Sequence, residues 1–317
     1  MDVQEKYHKQ IAWLLEGDPS VRFHTLRDLV KAPGQALYNE QQNILRSGWG
    51  RRFLDLQEED GTWANALYAP KWTSTFYTLL LLKRFGTPHN SKLEKACRIL
   101  LDSGFYEKDG GIKYWKTWKQ GECCVTGMLL SMLCHFRIHD DRIHRMVEYV
   151  LSEHMPDLGW NCERYKGATH SSFHTTISVL EGLWEYEQAC PGSPFVTAVQ
   201  DAQDNGIEFL LQHHLYQSNT TWQPVDPKMI RLSFPPRWHF DILRCLDYFQ
   251  ALRITKDPRI TEAMNLLMSK QTSEGFWKLE MKYPAKVFFE MEKVGKESRW
   301  NTLRALRVLQ WWENPGQ

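Results

Sequence analysis

Three short stretches carry the side chains best suited to chemistry. Glu122-Cys123-Cys124, Trp160-Asn161-Cys162 and Phe173-His174-Thr175 supply a carboxylate, thiols and an imidazole, the groups from which catalytic zinc sites with an open position are built. A fourth, Trp238-His239-Phe240-Asp241, places a histidine two residues before a carboxylic acid. Such an acid can hold a proton for transfer when dry surroundings raise its pKa. Arg237 and Arg299, with Lys71 placed similarly, offer guanidinium and ammonium groups to an anion such as a diphosphate. Each set also has a structural reading. Cys124 can pack as a small hydrophobe, His174 and Asp241 can cap helices, and the arginines can form surface ion pairs.

The elements that must position these residues follow a repeat. Thr25, Thr75, Thr126, Thr176, Asp241 and Thr302 each open an apolar run that reads as a buried helix, at spacings of 50, 51, 50, 65 and 61 residues. A period of that length holds two helices and their connections. Between the openers a second phrase recurs. Gln57 to Trp63 and Gln271 to Trp277 both fit Q-x3-G-x-W, with weaker echoes at Asp109-Gly110-Gly111, at His154 to Trp160 and at Gln212. In these turns glycine supplies a backbone shape that side chains disfavour, glutamine can bond free groups at a helix end, and tryptophan can cover the joint between units.

Length and composition set the class. With 317 residues and 42% hydrophobic content the chain can bury a large core, and six short units fit a single domain, 1–317. Pro191-Gly192-Ser193-Pro194 interrupts a connection rather than dividing unlike compositions. A net charge of +1, with 39 basic and 38 acidic residues spread throughout, offers no basic face to nucleic acid. The polar start, Met1 to Gln10, and a longest aliphatic run of only Leu79 to Leu82 predict neither a secretion signal nor a transmembrane segment, hence a cytoplasmic location. Seven cysteines, an odd number without regular pair spacing, then read as thiols or metal ligands rather than disulfides.

The two Q-x3-G-x-W phrases, the period of roughly fifty residues and the six units resemble the prenyltransferase and squalene-hopene cyclase-like (terpenoid cyclase) repeat superfamily, from about Ile11 to Trp312. That resemblance implies an all-α fold, one (α/α)6 toroid, with inner-helix N-termini around an aromatic-lined central cavity. Helix N-termini favour anions and acids. The residues at or just before the openers become site candidates: Trp72, Arg237, Trp238, Arg299, Trp300 and Asn301 for substrate, and Asp241, His174 and His239 for chemistry.

The family's protein prenyltransferases bind zinc through a D-x-C element and a histidine opening the next helix. The corresponding ligands are Glu122, Cys124 and His174, with Cys162 as a further sulfur and glutamate in place of aspartate. The D-x-D-D acid of class II cyclases is absent. The nearest string, Ile138-His139-Asp140-Asp141, reads as a helix cap. The leading expectation is an enzyme, terpenoid-cyclase-like or prenyltransferase-like, acting on an apolar isoprenoid and assisted by zinc. The alternatives are a carbohydrate-active toroid using paired carboxylates from Glu122, Asp157 and Asp241, or a non-catalytic toroid that holds a lipid or peptide.

Overall fold

The computed structural model describes residues 3–313; residues 1–2 and 314–317 of the expected 1–317 domain lie outside it. The helices, in chain order, are α1 (Val3–Lys6), α2 (His8–Leu15), α3 (Pro19–His24, continued by a π-helical stretch Thr25–Val30), α4 (Gly34–Arg46) and α5 (Gly48–Asp55). Then come α6 (Thr75–Arg84), α7 (Ser91–Gly104), α8 (Cys123–His135), α9 (Arg142–Ser152) and α10 (Phe173–Ala189). The last four are α11 (Val196–Gln212), α12 (Ile242–Leu252), α13 (Thr261–Ser269) and α14 (Arg299–Glu313). Among the described residues, β structure is confined to isolated bridges, so the chain is all-α, with the helix-pair organisation of an α/α toroid.

The six openers mark one helix of each pair. Thr25 lies where α3 turns π-helical, Thr75 begins α6, Asp241 precedes α12, and Thr126, Thr176 and Thr302 lie three residues inside α8, α10 and α14. The sequence separates the two kinds of partner. Helix α8 is apolar all round and buries every residue from Val125 to Cys134, whereas α9 buries a stripe of Ile143, Met146, Val147 and Val150 with polar residues opposite.

One device explains why a small hydroxyl opens these helices. The Thr75 hydroxyl accepts a hydrogen bond from the Trp63 N–H (3.0 Å), Thr126 from Ile112 (2.9 Å), Thr176 from Trp160 (3.1 Å) and Thr302 from Trp277 (3.0 Å). Each opener thus clamps the end of the turn before its helix and satisfies an amide buried beyond the reach of water. The turns themselves carry left-handed residues two positions before that amide: Gly61, Gly110, Leu158 and Gly275. Gln57 donates to the Gly61 carbonyl of its own turn (2.8 Å) and to Lys92 at the start of α7 (3.0 Å). Trp160 and Trp277 donate their indole N–H to carbonyls in the last turns of α9 and α13, filling acceptors that a helix end leaves open.

The helices gather into two compact units. The first comprises Met1–Leu56, Arg84–Pro88 and His213–Gln317; the second Gln57–Lys83 and His89–Gln212. In the first, α3 packs on α4 and α5, and α12 on α14. Its buried ion pairs join Arg307 to Asp28 (2.9 Å) and to Asp247 (2.7 Å). In the second, α8 and α10 pack most intimately. Gly127 and Gly182 allow it: a Cβ at Gly127 would stand 2.7 Å from the Ser178 carbonyl oxygen, and one at Gly182 would strike the Gly127 carbonyl. That close approach fixes the spacing of the α8 and α10 N-termini.

Candidate functional site

Glu122 and Cys124 stand at the start of α8, Glu122 as its N-cap residue. The Glu122 N–H donates to the Ile112 carbonyl (2.9 Å), and the preceding Gly121 N–H to Asp109 (2.8 Å), so the turn before α8 holds this residue in place. Cys162 follows Trp160, whose carbonyl accepts from the Ser172 N–H (2.8 Å). The Cys162 N–H in turn donates to the Thr175 hydroxyl in the first turn of α10 (3.3 Å). The α8–α10 contact therefore brings two helix starts together, and Glu122, Cys124 and Cys162 interact across them. All three are half-buried.

The electrostatics of the cluster are unusual. The Glu122 side chain makes no cap hydrogen bond. Burial, then the neighbouring Cys162, push its carboxyl up to about 7, while Lys71 and Lys166 pull the other way. The interaction with Cys124 lowers the Cys162 thiol to about 7 against the opposing effect of burial, and Thr175 adds to the lowering. Cys124 is driven upward by the same interaction and by burial. Burial likewise holds Tyr68 protonated well above its usual range, with Tyr77, Cys124 and Glu122 adding to the shift. Tyr68 and Tyr77 share a hydroxyl contact (3.2 Å), Trp72 meets Tyr77 edge-on (4.8 Å), and Tyr68 stacks on Tyr114 (5.5 Å).

The other predicted residues have these positions. His174 is the second residue of α10, half-buried, and its carbonyl accepts from the Ser178 hydroxyl (2.8 Å). Among the described residues no group of three or more His, Cys, Asp or Glu side chains is disposed to hold a metal ion. Glu122, Cys124, Cys162 and His174, the ligands that the resemblance implies, are therefore not gathered into such a group among the described residues.

In the first unit Asp241 is fully buried as the α12 N-cap. Its Oδ1 accepts from the Arg244 N–H (2.8 Å), and its Oδ2 from the Ser233 N–H (3.3 Å) and hydroxyl. It is the clamp of the fifth repeat, an aspartate where four other repeats use threonine. His239 is sandwiched between Trp238 (3.7 Å) and Tyr283 (3.3 Å). Arg237 is buried with a left-handed backbone. Trp300 is buried against Phe234 (5.0 Å), and Asn301, fully buried, donates to the Lys278 carbonyl (3.2 Å). Arg299 lies over the Trp13 ring (4.5 Å) and donates to the Trp13 carbonyl (3.1 Å), beside a cleft of about 520 Å3 that Asp18, Trp49 and Glu292 also line. Asp18 and Glu292 are raised by burial, yet both accept backbone N–H groups at helix starts and are committed to capping.

Sequence reasoning missed Tyr68 and Thr175. The available signal was position: Tyr68, like Cys162, falls in the segment between a clamped turn and the next opener, and the N–H groups of Thr75 and Phe76 donate to Ala66 and Leu67 (both 2.9 Å) to seat that segment on α6.

No protein-family model matches the chain, and no curated protein sequence does. Among solved structures it is similar to a polysaccharide lyase, with TM-score 0.51 and 11% identity, over 93% of this chain and 89% of that one. It is also similar to a protein from Actinoplanes (TM-score 0.47, 13% identity, 94% of this chain and 91% of that one). A third is the type II terpene cyclase MstE from Scytonema (TM-score 0.36, 12% identity, 86% and 97%). The first is a likeness of fold alone, and the other two carry no argument about function. No described helix is long and apolar enough to cross a membrane.

Proposed function

We propose that the chain is an enzyme that moves a proton at Glu122, acting on a small, largely apolar, isoprenoid-like substrate held near Tyr68, Trp72 and Tyr77. The observation that carries this reading is that Glu122 occupies a helix N-cap position without capping, half-buried, where burial pushes its carboxyl up to about 7. Such a group is present in both protonation states at neutral pH, the condition under which a general acid or base works best. It is too weak an acid to protonate an isolated alkene, in keeping with the missing D-x-D-D string. Proton removal from an activated carbon, as in an isomerisation or elimination, is the step it suits. Aromatic faces nearby favour a substrate that develops positive charge.

One observation favours a second reading, elimination on an acidic saccharide. Glu122 as base, the protonated Tyr68 hydroxyl as acid and Lys71 as a cation interact within the second unit, and those three roles are what proton abstraction beside a sugar carboxylate requires. The fold likeness to a polysaccharide lyase accords with it. Paired carboxylates are less well supported, since Asp157 is taken up by the Ser171 N–H (2.7 Å) and hydroxyl (2.6 Å).

The test is to incubate the wild type and Glu122→Gln separately with geranylgeraniol and with a polyuronate. Quenching of tryptophan fluorescence reports binding, and chromatography with mass spectrometry reports products. The proposal expects a rearranged isoprenoid from the wild type and at least about a hundredfold less from Glu122→Gln, the scale of a lost general base. An unsaturated uronate would select the second reading. Turnover of either substrate unchanged in Glu122→Gln overturns both.

A further inference from the structure

The cleft of the first unit has no part in either reading of Glu122. Its volume of about 520 Å3 suits a small molecule, and its walls come from the turn between α2 and α3, the start of α5 and the segment that leads into α14. Half-buried Trp13, Trp49 and Met291 supply the apolar part. Arg299, the first residue of α14, is the most constrained charge in it. Its guanidinium lies over the Trp13 ring (4.5 Å), and its Nε donates to the Trp13 carbonyl (3.1 Å). Gly17 gives the stem room to pass, since a Cβ there would stand 2.7 Å from the Arg299 Cδ. We propose that this cleft binds a small organic monocarboxylate, with the carboxylate taken by Arg299 and a ring packed against Trp49 and Met291.

Arg299 is held in place but not used up. With Nε committed to Trp13, its Nη atoms make no hydrogen bond to a described residue; Nη2 comes no nearer than 3.9 Å to Glu16, a largely exposed side chain. A planar pair of N–H donors matches the two oxygens of a carboxylate. Fixing the guanidinium on Trp13 beforehand cuts the cost of ordering it when a ligand arrives. Lys293 and Lys296, both exposed, add positive potential at the cleft.

The acids in the same walls select the charge of the ligand. Asp18 accepts from the N–H groups of Ser20 (2.9 Å) and Trp49 (2.6 Å), and Glu292 from the Trp300 N–H (3.2 Å) and the Ser298 hydroxyl. These bonds fix both carboxyls as caps, so neither is free to turn and grip a cation. Their proximity, with Glu16 and Glu297 alongside, penalises a dianion such as phosphate more than a monoanion. The inference concerns binding in the first unit and stands whether or not Glu122 is catalytic.

Isothermal titration calorimetry of the full-length protein, at neutral pH and low salt, tests this with benzoate, benzyl alcohol, acetate and inorganic phosphate as probes. Benzoate should bind at least about tenfold tighter than benzyl alcohol, which has the ring without the charge, and than acetate, which has the charge without the ring. Phosphate should bind more weakly than benzoate. Arg299→Lys keeps the charge but loses the fork and should weaken benzoate by about tenfold or more. Lys296→Gln, at an exposed position, should weaken it by about twofold to threefold, an effect that added salt removes. The comparison of benzoate with benzyl alcohol needs only the wild type, so it decides even if circular dichroism shows Arg299→Lys to be unfolded. Benzyl alcohol or phosphate binding as tightly as benzoate, benzoate binding unaltered in folded Arg299→Lys, or no benzoate binding at millimolar concentration overturns the proposal.

Discussion

Asp241 and Glu122 hold the same place in their helices, the residue just before the first turn, in two different units of the molecule. Asp241 is claimed by its surroundings: both oxygens accept hydrogen bonds, from Ser233 and Arg244. Glu122 makes no such bond, and its carboxyl interacts electrostatically with Cys162 and Cys124. The lesson is that an acid at a helix start is a functional candidate only when the backbone has not claimed it. In the first unit the predicted candidates Asp241, Trp300 and Asn301 are all claimed in this sense by caps or by the core.

The sharpest way to break that contrast is to remove each carboxylate. Asp241→Ala leaves the buried Ser233 and Arg244 amides without an acceptor and should cost about 3–4 kcal/mol, read as a fall in the urea midpoint. A cost under about 1 kcal/mol would mean that Asp241 is not the clamp of its repeat.

Glu122→Gln should do the reverse and depend on pH. The folded protein raises this carboxyl from 4.5 to about 7, so between those values the folded state binds the extra proton and stability is lost as pH rises. The ionised form is the penalised one. Unfolding curves of the two proteins should therefore match near pH 4.5 and diverge up to about pH 8, where Glu122→Gln is the more stable by about 2–3 kcal/mol. Parallel curves at every pH would remove the distinction between the two acids.

A smaller effect tests how the second unit sets its site. Gly182→Ala drives a methyl into the Gly127 carbonyl and should destabilise by about 2 kcal/mol in denaturant unfolding. Smallest is Thr302→Val, which leaves the Trp277 amide unpaired and should cost about 1 kcal/mol in the same measurement. Thr126→Val should cost a similar amount through Ile112.

Much of the fold was legible because its signals are local. The openers, the Q-x3-G-x-W turns and the one-sided pattern of α9 each depend on residues within a turn or two. What the openers do was not legible: Thr126, Thr176 and Thr302 lie inside their helices rather than at the ends, because their task is to accept an amide 14, 16 or 25 residues earlier. The site was half legible. Position singled out Glu122, Cys124 and Cys162, but choosing between Glu122 and Asp241 required knowing that Ser233 bonds the aspartate eight residues on. Tyr68 depends on how a segment 54 residues before Glu122 is seated, which no short-range pattern encodes.

The central claim is that Glu122 is an uncommitted carboxyl poised near neutrality. An infrared or isotope-edited NMR titration of the folded protein, with Glu122→Gln to assign the signal, measures this directly. The account predicts a carboxyl that titrates at about 7 and disappears in the variant. A Glu122 signal titrating near the ordinary 4.5 would contradict it.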